Sequence, residues 1–356
     1  MTAQTQTLLA KLAPKFRANP EDLAVEALGH ILSESKSALR TLSNVIQEGG
    51  ANVGEIDLIR TQATGKEGER PDLAGRGRDG QEHVLIEAKF WAGLTGNQPI
   101  AYLERLPSDM PSALLFVAPA ARIETLWNEL QRTVAKSQSG ITLAQGSEAK
   151  ELRSANAGGS RYLLLTSWQA LLGRMATQAA AASEWRAEKD IEQLRGLADQ
   201  QDDEAFLPLR QEELGREFPR RMRGLKRLIN EAINCAIDAK FASKEGRKVT
   251  SQESGYGEYV RLTAQARPWL GCDFNSWALY WDTPLWLWFW RGDLAQVRRA
   301  LEPLRQRKPS EIFDIPRHGV GIPVELPVGV EYAEVRDAVV KRLKEVADLI
   351  RADDSS

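Results

Sequence analysis

RPDLAGRGRDGQEHVLIEAKF, Arg70 to Phe90, is the stretch whose reading decides the fold. It sets a Pro-Asp pair ahead of one extended segment, an Asp79-Gly80 turn, and then an apolar segment interrupted by Glu87 and Lys89. Asp-Gly between two extended segments is a strong hairpin signal, because both residues tolerate the positive φ that a tight turn requires. Side chains on a strand alternate, so Val84, Ile86, Ala88 and Phe90 face one way and Leu85, Glu87 and Lys89 the other. The second set projects a carboxylate and an ammonium about 7 Å apart along one face. The hairpin returns Asp72 toward them, so three ionisable groups gather on strands that otherwise read as core.

Around this hairpin the chain alternates helical and extended segments. PEDLAVEALGHILSESKSALRTLSNVI has apolar residues at helical spacing, with Pro20 at its start. EIDLIRTQA precedes the hairpin as a short strand. In TGNQPIAYLERL, Asn97 can cap a helix and Pro99 is tolerated in its first turn. SALLFVAP then reads as a buried strand, ARIETLWNELQRTV as a helix, and RYLLLTSW as a strand running into the helix WQALLGRM. Helix, three-stranded meander, helix, strand, helix, strand predicts an α/β layer on one mixed central sheet.

At 356 residues the chain is too long for one ordinary core, and its composition (42% apolar, 27% charged) is that of a globular protein. The expected division is a first domain over 1–175, a helical connection over 176–204, rich in Ala, Glu, Gln and Arg, and a C-terminal α+β domain over 205–356. That last part opens with the amphipathic FPRRMRGLKRLINEAINCAIDAKF, passes through an aromatic-rich region, and ends in a strand GIPVEL and the helix EVRDAVVKRLKEVADLIRA. A formal net charge of −2 supplies no global field for a polyanion, so any such partner must be met by a local patch. Cys235 and Cys272 form no zinc spacing or disulfide framework, which fits a reducing compartment. No secretory leader is recognisable, and the longest strongly apolar run, Pro284 to Trp290, is too short for a bilayer. A cytoplasmic protein without membrane partners is expected.

Two converging carboxylates form a hard, oxygen-only site suited to Mg²⁺ or Mn²⁺. Such an ion lowers the pKa of a bound water and stabilises charge on a phosphodiester, and a neighbouring lysine positions that water. Pro71-Asp72 followed by Glu87-Ala88-Lys89 resembles the motif of the PD-(D/E)xK nuclease superfamily, and the order of elements from about Ala18 to Met175 is similar to its restriction-endonuclease-like core. The resemblance implies that Asp72, Glu87 and the Ala88 carbonyl hold the metal and that Lys89 serves the attacking water. It also implies that an acidic residue of the first helix, here Glu26, joins the metal site. Gln98 and Tyr102 reproduce the Gln-x-x-x-Tyr motif of some branches, with the glutamine bonding the carboxylates or substrate and the tyrosine contacting the strand being cut. Four apart, they are expected on one helix face. Arg70, Arg76 and Arg78 read as phosphate contacts beside Asp72.

The function these expectations imply is metal-dependent cleavage of nucleic acid, DNA foremost, in a setting such as restriction or anti-phage defence. Its partners would include a second copy of the chain or a defence-system protein, the C-terminal domain would select substrate, regulate access or mediate oligomerisation, and partner control or substrate-triggered activation is expected. The alternative is a catalytically silent nuclease-like module that binds nucleic acid or a protein. His30, His83 and His318 do not cluster, and GRGRDG sits in a hairpin, not between a strand and a helix, so neither a histidine cage nor a nucleotide loop is expected. Glu55 and Asp57 read as strand-end surface groups. Two basic clusters remain, Arg220, Arg221, Arg223, Lys226 and Arg227, and Arg298, Arg299, Arg305, Arg307 and Lys308; each is either a solvated face or a grip on a phosphate backbone. Trp286, Trp288 and Trp290 share one strand face opposite Leu285, Leu287 and Phe289. This pattern fits a strand buried on both sides, with stacking on bases or contact with a partner left open.

Overall fold

The computed structural model describes residues 9, 19–61, 70–95, 98–144, 146–147, 149, 151–204, 206–264, 266–290, 294–315 and 319–354. The chain is mixed α/β and divides into two compact units, the first ending at Pro208 and the second running over Leu209–Ser356.

The first unit is built on a six-stranded sheet in the order β1-β2-β3-β4-β6-β5. These strands are β1 (Leu58–Thr61), β2 (Leu73–Arg76), β3 (Glu82–Ala88), β4 (Ser112–Ala118), β5 (Leu152–Asn156) and β6 (Arg161–Ser167). β1, β2 and β3 form the antiparallel meander, and β3, β4 and β6 run parallel. Parallel strands need crossovers that cover the sheet, so their sequences lose alternation and become continuously apolar, as SALLFVA of β4 does: all seven residues are buried. One face packs under α1 (Pro20–Glu34), α2 (Lys36–Glu48), α5 (Trp168–Ala181) and α6 (Trp185–Asp203). The other packs under α3 (Ile100–Arg105) and α4 (Ile123–Lys136). β3 obeys the alternation read from sequence, with Val84, Ile86, Ala88 and Phe90 in the first layer and Leu85 in the second.

Three local features differ from the sequence reading. The first helix is two helices, because Ser35 is extended and its hydroxyl accepts the Ala38 N–H as the cap of α2, while Glu184 accepts hydrogen bonds from the Ser35 and Ser37 hydroxyls. β5 went unrecognised, since LRSAN carries none of the β-branched or aromatic residues that mark a strand and pairs only along one edge. The expected connection over 176–204 belongs to the first unit. Ala179, Ala187, Ile191, Leu194, Leu197 and Ala198 are buried in the same core as α1, so this helical segment is a layer and not a linker.

The second unit has its own six-stranded sheet, antiparallel throughout, in the order β11-β12-β10-β9-β8-β7. Its strands are β7 (Ser243–Gln252), β8 (Gly255–Arg261), β9 (Trp269–Asp273), β10 (Leu285–Phe289), β11 (Phe313–Ile315) and β12 (Gly319–Val324). One face carries Leu285, Leu287 and Phe289 into a core with Ile229, Ala232 and Ile233 of α7 (Glu217–Asp238) and Leu343, Val346 and Ile350 of α11 (Tyr332–Asp354). The short helices α8 (Phe274–Leu279), α9 (Leu294–Ala300) and α10 (Glu302–Arg307) complete the unit. The opposite face is a layer of Trp269, Trp286 and Trp288, all buried. Glycines floor this layer. A Cβ at Gly271 would lie 2.2 Å from the Trp269 ring, and one at Gly321 2.6 Å from the Trp288 ring. Each indole thus lies close over backbone that no other residue would expose.

Candidate active site

The site forms where β3 ends. Glu87 and Lys89 follow each other on one face, and β2 brings Asp72 beside them through the hairpin register Leu73 opposite Ile86. One Asp72 oxygen accepts the Ala88 N–H at 2.8 Å, which locks the carboxylate against β3. The Lys89 ammonium lies 2.7 Å from Glu87 Oε1. Glu87 and Lys89 are 3% and 5% exposed, so this is a charged pair inside a core, and burial of that kind demands compensation.

That compensation is incomplete. Glu87 Oε1 receives both the Lys89 ammonium and the Gln98 amide at 2.7 Å, while buried Glu87 Oε2 has no partner among the described residues. Burial, and then the charge of Glu87, push the Asp72 carboxyl up to about 7, against the opposing pull of the Ala88 N–H and Lys89. Two adjoining carboxylates with too few donors are a site with surplus negative charge. The donor set is all oxygen, which suits Mg²⁺ or Mn²⁺ over zinc. Among the described residues no three acidic, histidine or cysteine side chains group to hold a metal ion, so an ion here could draw on the Asp72 and Glu87 carboxylates and the Ala88 carbonyl alone, with water or substrate oxygens completing its shell.

Gln98 has the geometry of a brace. Its Oε1 accepts the Thr95 N–H at 3.3 Å, which turns the amide so that Nε2 donates to Glu87 and to the Tyr102 hydroxyl at 3.0 Å. Gln98 lies ahead of α3, not on it: the helix begins at Ile100, and Gln98-Pro99 is a cis peptide. Asn97, expected as the cap, lies outside the described residues. Tyr102 is 5% exposed and donates its proton to the Arg70 carbonyl at 3.0 Å. It therefore braces Gln98 from behind and ties it to the Arg70 backbone.

The first-helix carboxylate is Glu21, not Glu26. Glu26 is exposed on α1, on the side away from the buried stripe of Ala24, Val25 and Leu28. Glu21, in the first turn, accepts the Phe90 N–H at 2.6 Å and approaches the Lys89 ammonium at 4.0 Å. Helical periodicity marks faces and not ends; only the acidic first turn after Pro20 hinted at it. Arg122, also unforeseen, donates to the carbonyls of Phe90 and Ala92, and burial pulls its pKa down. From the other layer, the Trp168 indole N–H approaches the Lys89 carbonyl at 3.4 Å. The segment just past β3 is thus held from both sides.

Two of the arginines expected at the phosphate lie elsewhere. Arg76 pairs with Glu82 at 2.8 Å, at the far end of β3 and about 17 Å along the strand from Glu87. Arg78 pairs with Glu55 at 2.6 Å, and Asp57 joins that surface pair at 3.6 Å. Arg70 is exposed, next to Pro71-Asp72, and is the one arginine of the three adjoining the site in sequence. His83 is buried and bonded to Asp79 at 2.8 Å, so it stiffens the hairpin. No known protein family, curated protein or solved structure matches the chain.

Proposed function

We propose that the chain is a metal-dependent nuclease of the PD-(D/E)xK type, its first unit a restriction-endonuclease-like fold that hydrolyses phosphodiester bonds of DNA. One observation carries this reading: buried Glu87 keeps one oxygen unpartnered beside an Asp72 carboxyl pushed up to about 7. A structural salt bridge would satisfy both oxygens, since an orphaned buried carboxylate oxygen is a cost that packing alone does not repay. A divalent cation removes that cost and supplies Lewis-acid stabilisation of the phosphate together with a water of lowered pKa.

The protein's own groups divide the remaining tasks. Gln98 and Lys89 both hold Glu87 Oε1, leaving Oε2 for the ion. Lys89, restrained between Glu87 and Glu21, orients the attacking water and offsets phosphate charge. Ala88 presents its N–H to Asp72, which fixes the carboxylate beside the end of β3. The attacking water's oxygen bonds to phosphorus as its proton passes to solvent, the P–O bond opposite it breaks, and the departing oxygen takes a proton from solvent. In a restriction or anti-phage setting, this activity would need restraint by a partner or by the second unit.

Incubation with supercoiled, linear and single-stranded DNA and with RNA, in Mg²⁺ or Mn²⁺, tests the reading. Cleavage that Asp72→Ala and Lys89→Ala abolish, with circular dichroism unchanged, is the expected result. Nucleic acid bound but never cut under either metal would leave the silent binding module instead.

A further inference from the structure

The sequence offers two basic clusters, and the structure treats them differently. In the cluster around α9 and α10 every cation has a carboxylate. Arg298 and Arg305 share Asp314 at 2.9 and 3.5 Å, Arg299 approaches Asp353, Arg307 approaches Glu345, and Lys308 meets Glu311 at 2.5 Å. That cluster is neutralised within its own unit.

The cluster on α7 is not. Arg216, at the helix cap with helical dihedrals, Arg220, Arg223 and Arg227 are spaced four, three and four apart. At 100° per residue they fall within an arc of about 60°, forming one row about 16 Å long. The row points away from the stripe of Met222, Leu225, Leu228, Ile229 and Ala232 that packs on the core, and all four arginines are exposed. Among the described residues no carboxylate lies within ion-pair distance of Arg216, Arg220 or Arg223. Arg227 alone is restrained, by Glu231 at 2.6 Å and by stacking over Tyr332.

Neither packing nor helix stability asks for this arrangement. The row faces solvent, so the core does not select it. Cations in the opening turns oppose the helix dipole, and like charges four apart repel. Regularly spaced, unpaired guanidiniums are instead what a repeating line of phosphates recognises, because each can donate two parallel hydrogen bonds to one phosphate. In a chain of net charge −2, such a row is a local patch.

We propose that Arg216, Arg220, Arg223 and Arg227 form a phosphate-backbone contact that the second unit offers to nucleic acid. The choice of nucleic acid over other polyanions rests on the nuclease reading; the row itself does not. The test is binding of a 30-base-pair duplex and of a single strand by the full chain in EDTA, over a series of salt concentrations. Arg216→Ala/Arg220→Ala/Arg223→Ala, which breaks no observed pair, should flatten the duplex plot of log affinity against log salt by about 2.7, at 0.9 per phosphate contact. Affinity near 0.1 M salt should fall 10-fold or more, and the matching triple lysine variant should retain most of the slope. An unchanged slope overturns the proposal, as does a row-dependent affinity found only for phosphatidylserine vesicles or polyglutamate. Asp72→Ala separates the two readings: it should lose cleavage and keep the slope, whereas undiminished cleavage by Asp72→Ala sinks the nuclease and leaves the row standing.

Discussion

The two sheets each contain a strand that looks wrong in sequence, and the structure resolves only one of them by packing. β10 is apolar on both sides because its tryptophans pack into a buried layer with Trp269; Trp286 and Trp288 stack at 6.0 Å, and Trp288 lies over Gly321 of β12. Among the described residues the buried side-chain donor of that layer left without a partner is the Trp288 indole N–H. β3 carries Glu87 and Lys89 into an equally buried place, and there the surroundings supply donors for one carboxylate oxygen and leave the other bare. Excess apolar surface can be absorbed by geometry. Excess charge must be met by a counter-charge, by hydrogen-bond donors or by protonation, and the chain supplies these to only one of the Glu87 oxygens.

Asp72→Ala, Glu87→Ala and Lys89→Ala distinguish the two strands with the largest effect. Each should lower cleavage by roughly 10³-fold or more while leaving both units folded, as loss of charge stabilisation at a reacting phosphate does. Were any of them to act only through melting temperature, β3 would be a packing feature like β10. Conversely, Trp286→Ala should cost about 3–5 kcal/mol in denaturant unfolding of the second unit. The expected outcome is that cleavage by the first unit at low temperature is kept. Gly271→Ala is the smaller version of that test, with overpacking against Trp269 expected to cost about 1–3 kcal/mol.

Gln98→Ala should reduce cleavage about 10- to 100-fold and weaken the apparent metal affinity, since it frees Glu87 Oε1 to rotate. Metal titrations of activity distinguish this from a simple stability loss. The smallest effect is in pH. Without divalent ions, Asp72 in the folded protein holds its proton up to about 7, against 3.8 for an unperturbed aspartate. Between those values the folded state binds more protons than the unfolded one. Its contribution to stability is therefore full below 3.8 and is lost as pH rises through about 7. Melting curves at pH 5 and 8 should differ by about 1–2 kcal/mol after allowance for the partial exposure of this carboxyl, and Asp72→Asn should erase that difference. Added Mg²⁺ should restore stability most at the higher pH, by about 2.7 kcal/mol at a hundredfold excess over its dissociation constant.

Period-two alternation was enough to place Glu87 and Lys89 together, and the Asp-Gly turn was enough to bring Asp72 to them. What alternation cannot report is where a helix begins relative to a sheet. Glu26 looked eligible by residue type, yet the carboxylate that arrives is Glu21, because the end of α1 meets Phe90. Tyr102 was legible as a motif member, but its burial and its bond to Arg70 follow from the covering layer. β7, β8 and β9 escaped recognition because their glycines and charges weaken strand signals, and Gly257 and Gly271 make sense only once the Trp269 indole beside them is known. The division of the two basic clusters was equally hidden, since Asp314, Glu345 and Asp353 come from other elements than the arginines they neutralise.

Near its end, α6 bonds Gln201 to the Trp91 indole and Asp202 to the Ala121 N–H, gripping the two loops that flank the Lys89 segment. Anyone dissecting this protein by composition would cut near residue 176 and discard that grip along with the apparent tether. The surviving fragment would retain every motif residue and lose the buttress that keeps them aligned, so its inactivity would say nothing about the chemistry. A fair excision begins no earlier than residue 209.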